Sequence, residues 1–192
     1  MKHPVTRALY RYWDRLRAGR SAPERNEFEP AAISAQLGDV FLLDMGIRDH
    51  HTVRLAGTRI CALIGREWKG HAFAEPFAED DRTDICTMVE GVAASAIPAV
   101  AGIAGETEDG HRLDLELQLL PLRHRGRTHA RQIGSLVALE LPYWAGVIPL
   151  ERMRLVSVRH IHVDMPGDEI DLVTPAVRPA GGRLRVLPGG RA

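Results

Sequence analysis

The chain has 192 residues, 45% hydrophobic and 26% charged, which suits one globular domain with an extension and a sizeable core, while two domains would be cramped. Lys plus Arg and Asp plus Glu number 25 each, so no long-range field draws the protein to nucleic acid or to an anionic membrane. Cys61 and Cys86 fall inside apolar helical patterns, which argues for small buried hydrophobes and against a disulfide framework.

The N-terminus, MKHPVTRALYRYWDRL, lacks the continuous apolar region of a secretory signal, and no run is long enough to span a bilayer; a cytoplasmic address without membrane insertion is expected. Val5, Ala8, Leu9, Tyr12, Trp13 and Leu16 fall at helical spacing opposite an arginine-rich side, predicting an amphipathic helix ended by Gly19. A polar, proline-bounded connector, RSAPERNEFEP, leads to a short helix over Ala31 to Leu37, stopped by Gly38.

Val40 to Gly65 is the stretch around which the rest is organised. Val40 to Ile47 reads as a strand broken by RDH, and His51 to Ala56 alternates with Val53 and Leu55 on one face, giving a half-buried hairpin. Gly57 and Thr58 then open a short helix that buries Ile60, Leu63 and Ile64, with the Thr58 hydroxyl expected as its cap. A turn-rich link carries Trp68 and Phe73. Pro76 opens a longer helix with Asp80, Asp81 and Asp84 in its early turns and an apolar stripe of Ile85, Met88, Val89, Val92 and Ala96. Gly91 inside that helix suggests a close approach to the sheet or to a ligand.

Three strand-like runs follow, at Ala99 to Thr107, Arg112 to Leu122 and Arg131 to Leu141. The middle one is the clearest, with Leu113, Leu115, Leu117 and Leu119 on one side and Asp114, Glu116 and Gln118 on the other. Leu150 to His162 reads as a further strand or helix, and from Met165 the composition turns to the proline and glycine of a mobile tail. This order predicts an α+β fold, an antiparallel sheet with helices packed on one face.

Five separated segments, YRYWDRLRAGRSAPERNEFEP, FLLDM, VRLAGTRICALIGREWKG, LELQLLPLR and LPYW, occur in an order that resembles a bacterial family of small, stand-alone PAS-like proteins of unknown function. The likeness runs from about Tyr10 to about Arg159. It implies a five-stranded antiparallel sheet, helices over one face, an N-terminal amphipathic helix and a cavity between sheet and helices. It also implies sensing or protein association and not catalysis, and it supplies no catalytic residues. Arg54, Gly57, Thr58, Gly65, Trp68, Gly70, Pro121 and Arg123 match its motifs and are read as folding positions. Residues 1–38 then form an N-terminal helical cap and connector, 39–145 the PAS-like core, 146–164 a C-terminal extension and 165–192 a flexible tail.

Chemistry-bearing clusters are sparse. His50 and His51 are adjacent, and His160, His162 and Asp164 would share one side of a strand, but no full metal-ligand set is visible and no metal site is expected. Asp114 and Glu116 form a polar row on one strand and are read as solvent-facing rather than as an acid–base pair. Arg123 to Arg131, RHRGRTHAR, concentrates positive charge in one loop, read as solvated or as an anion site. Cys61 lies where light-sensing PAS relatives keep a flavin-reactive cysteine, but the amides that hold the flavin there are scarce, with Asn26 the one asparagine. The cofactor is left unknown, and an enzyme is the weakest reading.

The expected pocket is lined by Phe41, Leu43, Leu55, Ile60, Ile64, Phe73, Met88, Val92 and Leu117 and takes an unidentified small apolar or amphipathic ligand. The alternative is an adaptor whose interior is filled by its own side chains. With no output domain attached, either acts through a regulatory protein partner. A homodimer is expected, with Tyr12 and Trp13 of the first helix at its interface.

Overall fold

The computed structural model describes residues 1–46, 50–125, 127–161 and 176–177, with backbone alone for 127–129 and 176–177. Its elements are α1 (Pro4–Arg17), 3-10 segments at Arg25–Glu27 and Pro30–Asp39, β1 (Val40–Asp44), β2 (Thr52–Ala56), α2 (Thr58–Ile64), α3 (Glu79–Ser95), β3 (Ala99–Glu106), β4 (Arg112–His124), β5 (Arg127–Ala138), β6 (Arg152–His160) and β7 (Ala176–Val177). The strands form one antiparallel sheet in the order β2-β1-β5-β4-β3-β6-β7. The five expected strands are β1 to β5. Within the stretch read as a strand or helix, Arg152–His160 is a strand: β6 pairs along the whole of β3 and extends the sheet beyond five.

The period-two alternation of the strands divides the interior in two. Phe41 and Leu43 of β1, Leu115, Leu117 and Leu119 of β4 and Met153 and Leu155 of β6 face α2 and α3 in one cluster. Val40, Leu42, Leu120, Leu122 and Ile133 point the other way and meet Leu9, Tyr10, Trp13, Phe28 and Ile33 of the N-terminal region in a second. Helices α2 and α3 thus cover one face, and α1 with its connector covers part of the opposite one.

That placement changes the reading of β4's polar row. Glu116 and Gln118 are buried, while Asp114 stays exposed. The Glu116 carboxylate accepts from the backbone N–H groups of Lys2, at 2.6 Å, and His3, at 3.0 Å, so a negative charge sits at the N-terminus of α1, where the helix dipole favours it.

Four local expectations also change. Leu55, expected to face inward beside Val53, is 47% exposed. A bulge between Leu42 and Leu43 pairs Leu42 with Leu55 and Leu43 with Val53, so the extra residue turns Leu55 onto the α1 face. The cap of α2 is Gly57, without a side-chain hydrogen bond, and Thr58 is the first helical residue. Helix α3 begins at Glu79, three residues after Pro76, and a Cβ on Gly91 would meet nothing within 4 Å, so that glycine marks no close approach.

Asp81, 1% exposed in the first turn of α3, accepts from the N–H of Leu155 at 2.9 Å. Leu155 flanks the β3–β6 irregularity, where Gly102 pairs with Ser157 and Ile103 with Leu155. The carboxylate supplies an acceptor at this break in the ladder and ties β6 to α3.

Candidate functional site

Eight of the nine expected pocket residues converge between the sheet and α2 and α3. Phe41 and Leu43 come from β1, Ile60 and Ile64 from α2, Met88 and Val92 from α3, Leu117 from β4 and Phe73 from the link before α3, all in one contiguous cluster. Leu55 is not among them.

The cluster has an aromatic centre. Trp68 stacks on Phe73, with centroids 5.2 Å apart and planes 20° apart, Phe41 lies 5.2 Å from Phe73 and 5.8 Å from Trp68, and Phe77 lies 5.9 Å beyond Phe73. The Phe41 ring occupies the space a side chain at Gly134 would need, so a missing side chain on β5 seats an aromatic from β1.

Two buried polar groups interrupt this apolar surface. Gln132, on β5, is fully buried and donates its amide to the carbonyl of Val89 on α3 at 2.6 Å, while its Oε1 has no hydrogen-bond partner. The indole Nε1 of Trp68 is buried and likewise has none. A buried donor or acceptor left unmade costs about 1–3 kcal/mol, so an acceptor and a donor in this interior are places where a bound molecule or water would be favoured. Neither was found from the sequence as a site feature. Gln132 stands on the same side of β5 as Gly134 and Leu136, an alternating inward position that is the one signal that could have singled it out.

Among the described residues the remaining candidates stand apart from one another. His51 is 3% exposed, with its Nε2 3.7 Å from Glu90 Oε1, while His50 is exposed. Among the described residues no three His, Cys, Asp or Glu side chains are placed to hold a metal; His162 and Asp164 lie outside them. Cys61 turns its sulfur toward the Ala56 carbonyl, 4.0 Å away, whereas its neighbours Ile60, Leu63 and Ile64 enter the interior.

Tyr12 and Trp13, expected between two copies, are core residues of their own chain. Trp13 is fully buried and donates its indole N–H to the carbonyl of Pro121 at 2.8 Å. Tyr12 is 8% exposed, meets Phe28 edge-on at 4.8 Å, and its hydroxyl accepts from the N–H of Glu29 at 3.0 Å. The apolar stripe of α1 packs on its own sheet because β4 and β5 present Leu120, Leu122 and Ile133 to it. The large hydrophobic side chains left on the surface include Leu141, Tyr143 and Val147, in the link between β5 and β6.

The positions matching the sequence motifs have structural tasks. Arg54 pairs with Asp44, Gly57 lets the chain pass against the backbone of Leu37 and Gly38, and Arg123 donates its N–H to the carbonyl of Pro23 at 2.9 Å.

A family model described as PAS domain matches residues 1–137. The chain belongs to the PAS domain family. No curated protein matches it. Among solved structures, this PAS chain is similar to a variant of RsLOV at 14% identity and TM-score 0.45, covering 57% of this chain and 65% of that one. It is also similar to the Rhodobacter sphaeroides LOV protein at 16% identity and TM-score 0.44, covering 55% and 61%, and thus spans less than two thirds of either protein's length. The PAS domain of an HTR-like protein from Haloarcula marismortui matches at 20% identity and TM-score 0.42, over 56% of this chain and 89% of that one. Similarity this remote carries no ligand or activity across.

Proposed function

We propose that this PAS chain is a sensory, ligand-binding module of bacterial cytoplasmic signalling that acts through a protein partner and not by catalysis. The observation that carries the reading is the two unpartnered buried polar groups, Trp68 Nε1 and Gln132 Oε1, in a largely apolar interior. Such a surface, mainly hydrophobic with a few polar handles, suits a small apolar or amphipathic molecule that offers one acceptor and one donor. Partner contact falls to the surface. If two copies associate, they use some face other than Tyr12 and Trp13.

Native mass spectrometry of the protein purified from its own host, set against the denatured mass, tests the proposal. A retained small molecule, lost from Gln132→Leu and Trp68→Phe variants that remain folded, is the expected result. Equal masses, together with no stabilisation by any of a panel of small amphipathic compounds, would count against it. The adaptor reading draws its support from the aromatic centre of Phe41, Trp68, Phe73 and Phe77, which fills much of the space between β1 and α3 with the chain's own rings. It predicts a partner in a pull-down and no retained molecule.

A further inference from the structure

Strand β3 pairs with β4 only as far as Leu119, which leaves the last residues of β4 without a neighbour on that edge. The connector fills part of the gap. Glu24 bridges Arg123 in parallel register, the N–H of Arg123 donates to the carbonyl of Pro23 at 2.9 Å, and the Arg123 guanidinium lies 3.5 Å from the Glu24 carboxylate. These contacts hold the 3-10 turn Arg25–Glu27 beside the end of β4 and frame an open groove of about 450 Å³ lined by Glu24, Arg25, Asn26, His124 and Arg125.

Most charges around this groove are already matched. Arg20 pairs with Glu27 at 2.9 Å, Arg131 with Asp44 at 2.8 Å, and Arg123 with Glu24. Arg25 and Arg125 also line the groove, and among the described residues neither has an ion-pair partner. His124 reports the resulting field. Its imidazole is held below its ordinary value by partial burial and by Arg131 and Arg125, against a weaker opposing pull from Asp44 and Glu24.

We propose that this groove binds a phosphoryl group, gripped by the guanidiniums of Arg25 and Arg125 with the Asn26 amide and the His124 ring as further donors. Two planar forks, each able to give parallel N–H bonds to a tetrahedral oxyanion, are the side-chain chemistry that phosphate recognition uses. The neutral overall charge argues for one local anion and against a polyanion such as nucleic acid. An anion seated here favours the imidazolium, so binding raises the His124 titration midpoint and tightens as pH falls through it. The site lies away from the aromatic interior and does not depend on what that interior holds.

Titration of the full chain with inorganic phosphate, and separately with glycerol 2-phosphate, each against chloride at matched ionic strength, is followed by NMR of the His124 ring. A saturable shift with phosphate or the ester, an upward move of the His124 midpoint, and binding weakened about tenfold or more by Arg25→Gln or Arg125→Gln in variants with unchanged near-UV circular dichroism are expected. Tighter binding of the ester assigns the phosphoryl group to an organic ligand, and equal binding assigns it to the free anion; either supports the site. A response that chloride reproduces, or that persists in the folded double variant, would overturn it.

Discussion

The indole N–H of Trp13 donates to the carbonyl of Pro121 across the face of the sheet, 2.8 Å apart, joining the first helix to the end of the fourth strand. Because the ring is fully buried, this bond anchors α1 as part of the core. Trp13→Phe is expected to lose about 1–3 kcal/mol by leaving the carbonyl without its donor, and Trp13→Ala about 3–5 kcal/mol. Urea unfolding measures both. A folded Trp13→Ala protein of unchanged midpoint would show that the helix is dispensable to the fold.

Val53 and Leu55 are two apart on β2, yet the bulge sends them to opposite faces. Val53→Asp is expected to abolish folding or to cost more than about 3 kcal/mol, because it places a charge in the aromatic interior. Leu55→Asp should stay within about 0.5 kcal/mol of the parent. Equal damage from the two substitutions would contradict the register.

Two glycines separate in the same way. A Cβ at Gly134 collides with the carbonyl of Gln118 and the ring of Phe41, whereas one at Gly91 meets nothing within 4 Å on a helix. Gly134→Ala should therefore destabilise by about 1–3 kcal/mol, and Gly91→Ala should stabilise by about 0.5–1 kcal/mol through helix propensity. Thermal unfolding of the pair decides it, since the two midpoints must move in opposite directions.

Asp81 is a buried acceptor for Leu155. Asp81→Ala removes a charge-assisted bond and leaves that N–H unmatched, for an expected loss of about 2–3 kcal/mol. Hydrogen exchange at Leu155 and along β6 should quicken more than exchange in β5. Uniform change across the sheet would mean that the carboxylate does not hold β6 in particular.

Acid weakens one surface cluster. The Arg66 guanidinium, 2.6 Å from Glu75, holds that carboxyl below the usual carboxylate range, and His71 at 3.0 Å adds to the effect. A depressed folded-state value gives stability that is fully present above the unfolded value of about 4.3 and is lost as pH falls through the folded one. Both partners are partly exposed, so the contribution is small and salt should erode it. An NMR titration that put Glu75 at or above the ordinary range at low salt would refute the pairing.

How much of this was legible in the sequence follows from which signals are local. The leucines of β4 and the apolar stripes of α2 and α3 declared themselves by period alone, and most of the residues that share one buried cluster lie on them. Leu55 was misplaced because a bulge is set by pairing with β1, and strict alternation carries no trace of it. Glu116 read as solvent-facing because nothing in β4 says that a helix more than a hundred residues upstream will lie on it. Tyr12 and Trp13 were ambiguous in principle, since an apolar stripe specifies that it is covered and not by what. The aromatic centre escaped notice because Trp68, Phe73 and Phe77 lie in an irregular link with no periodicity to show which way they face, and Phe41 lies apart from them on β1. Gly134, which seats one of those rings, contributes by having no side chain at all.

The clasp between the first helix and the fourth strand also bears on how the chain comes to be folded. Lys2 and Glu116 are 114 residues apart, and Trp13 and Pro121 are 108 apart. The helix therefore leaves the ribosome well before its seat and waits while more than a hundred further residues are made, roughly 5 to 20 s at ordinary elongation rates. Through that interval its tryptophan and tyrosines face water or a chaperone. A helix made before its strand is thus seated only once that strand has followed it.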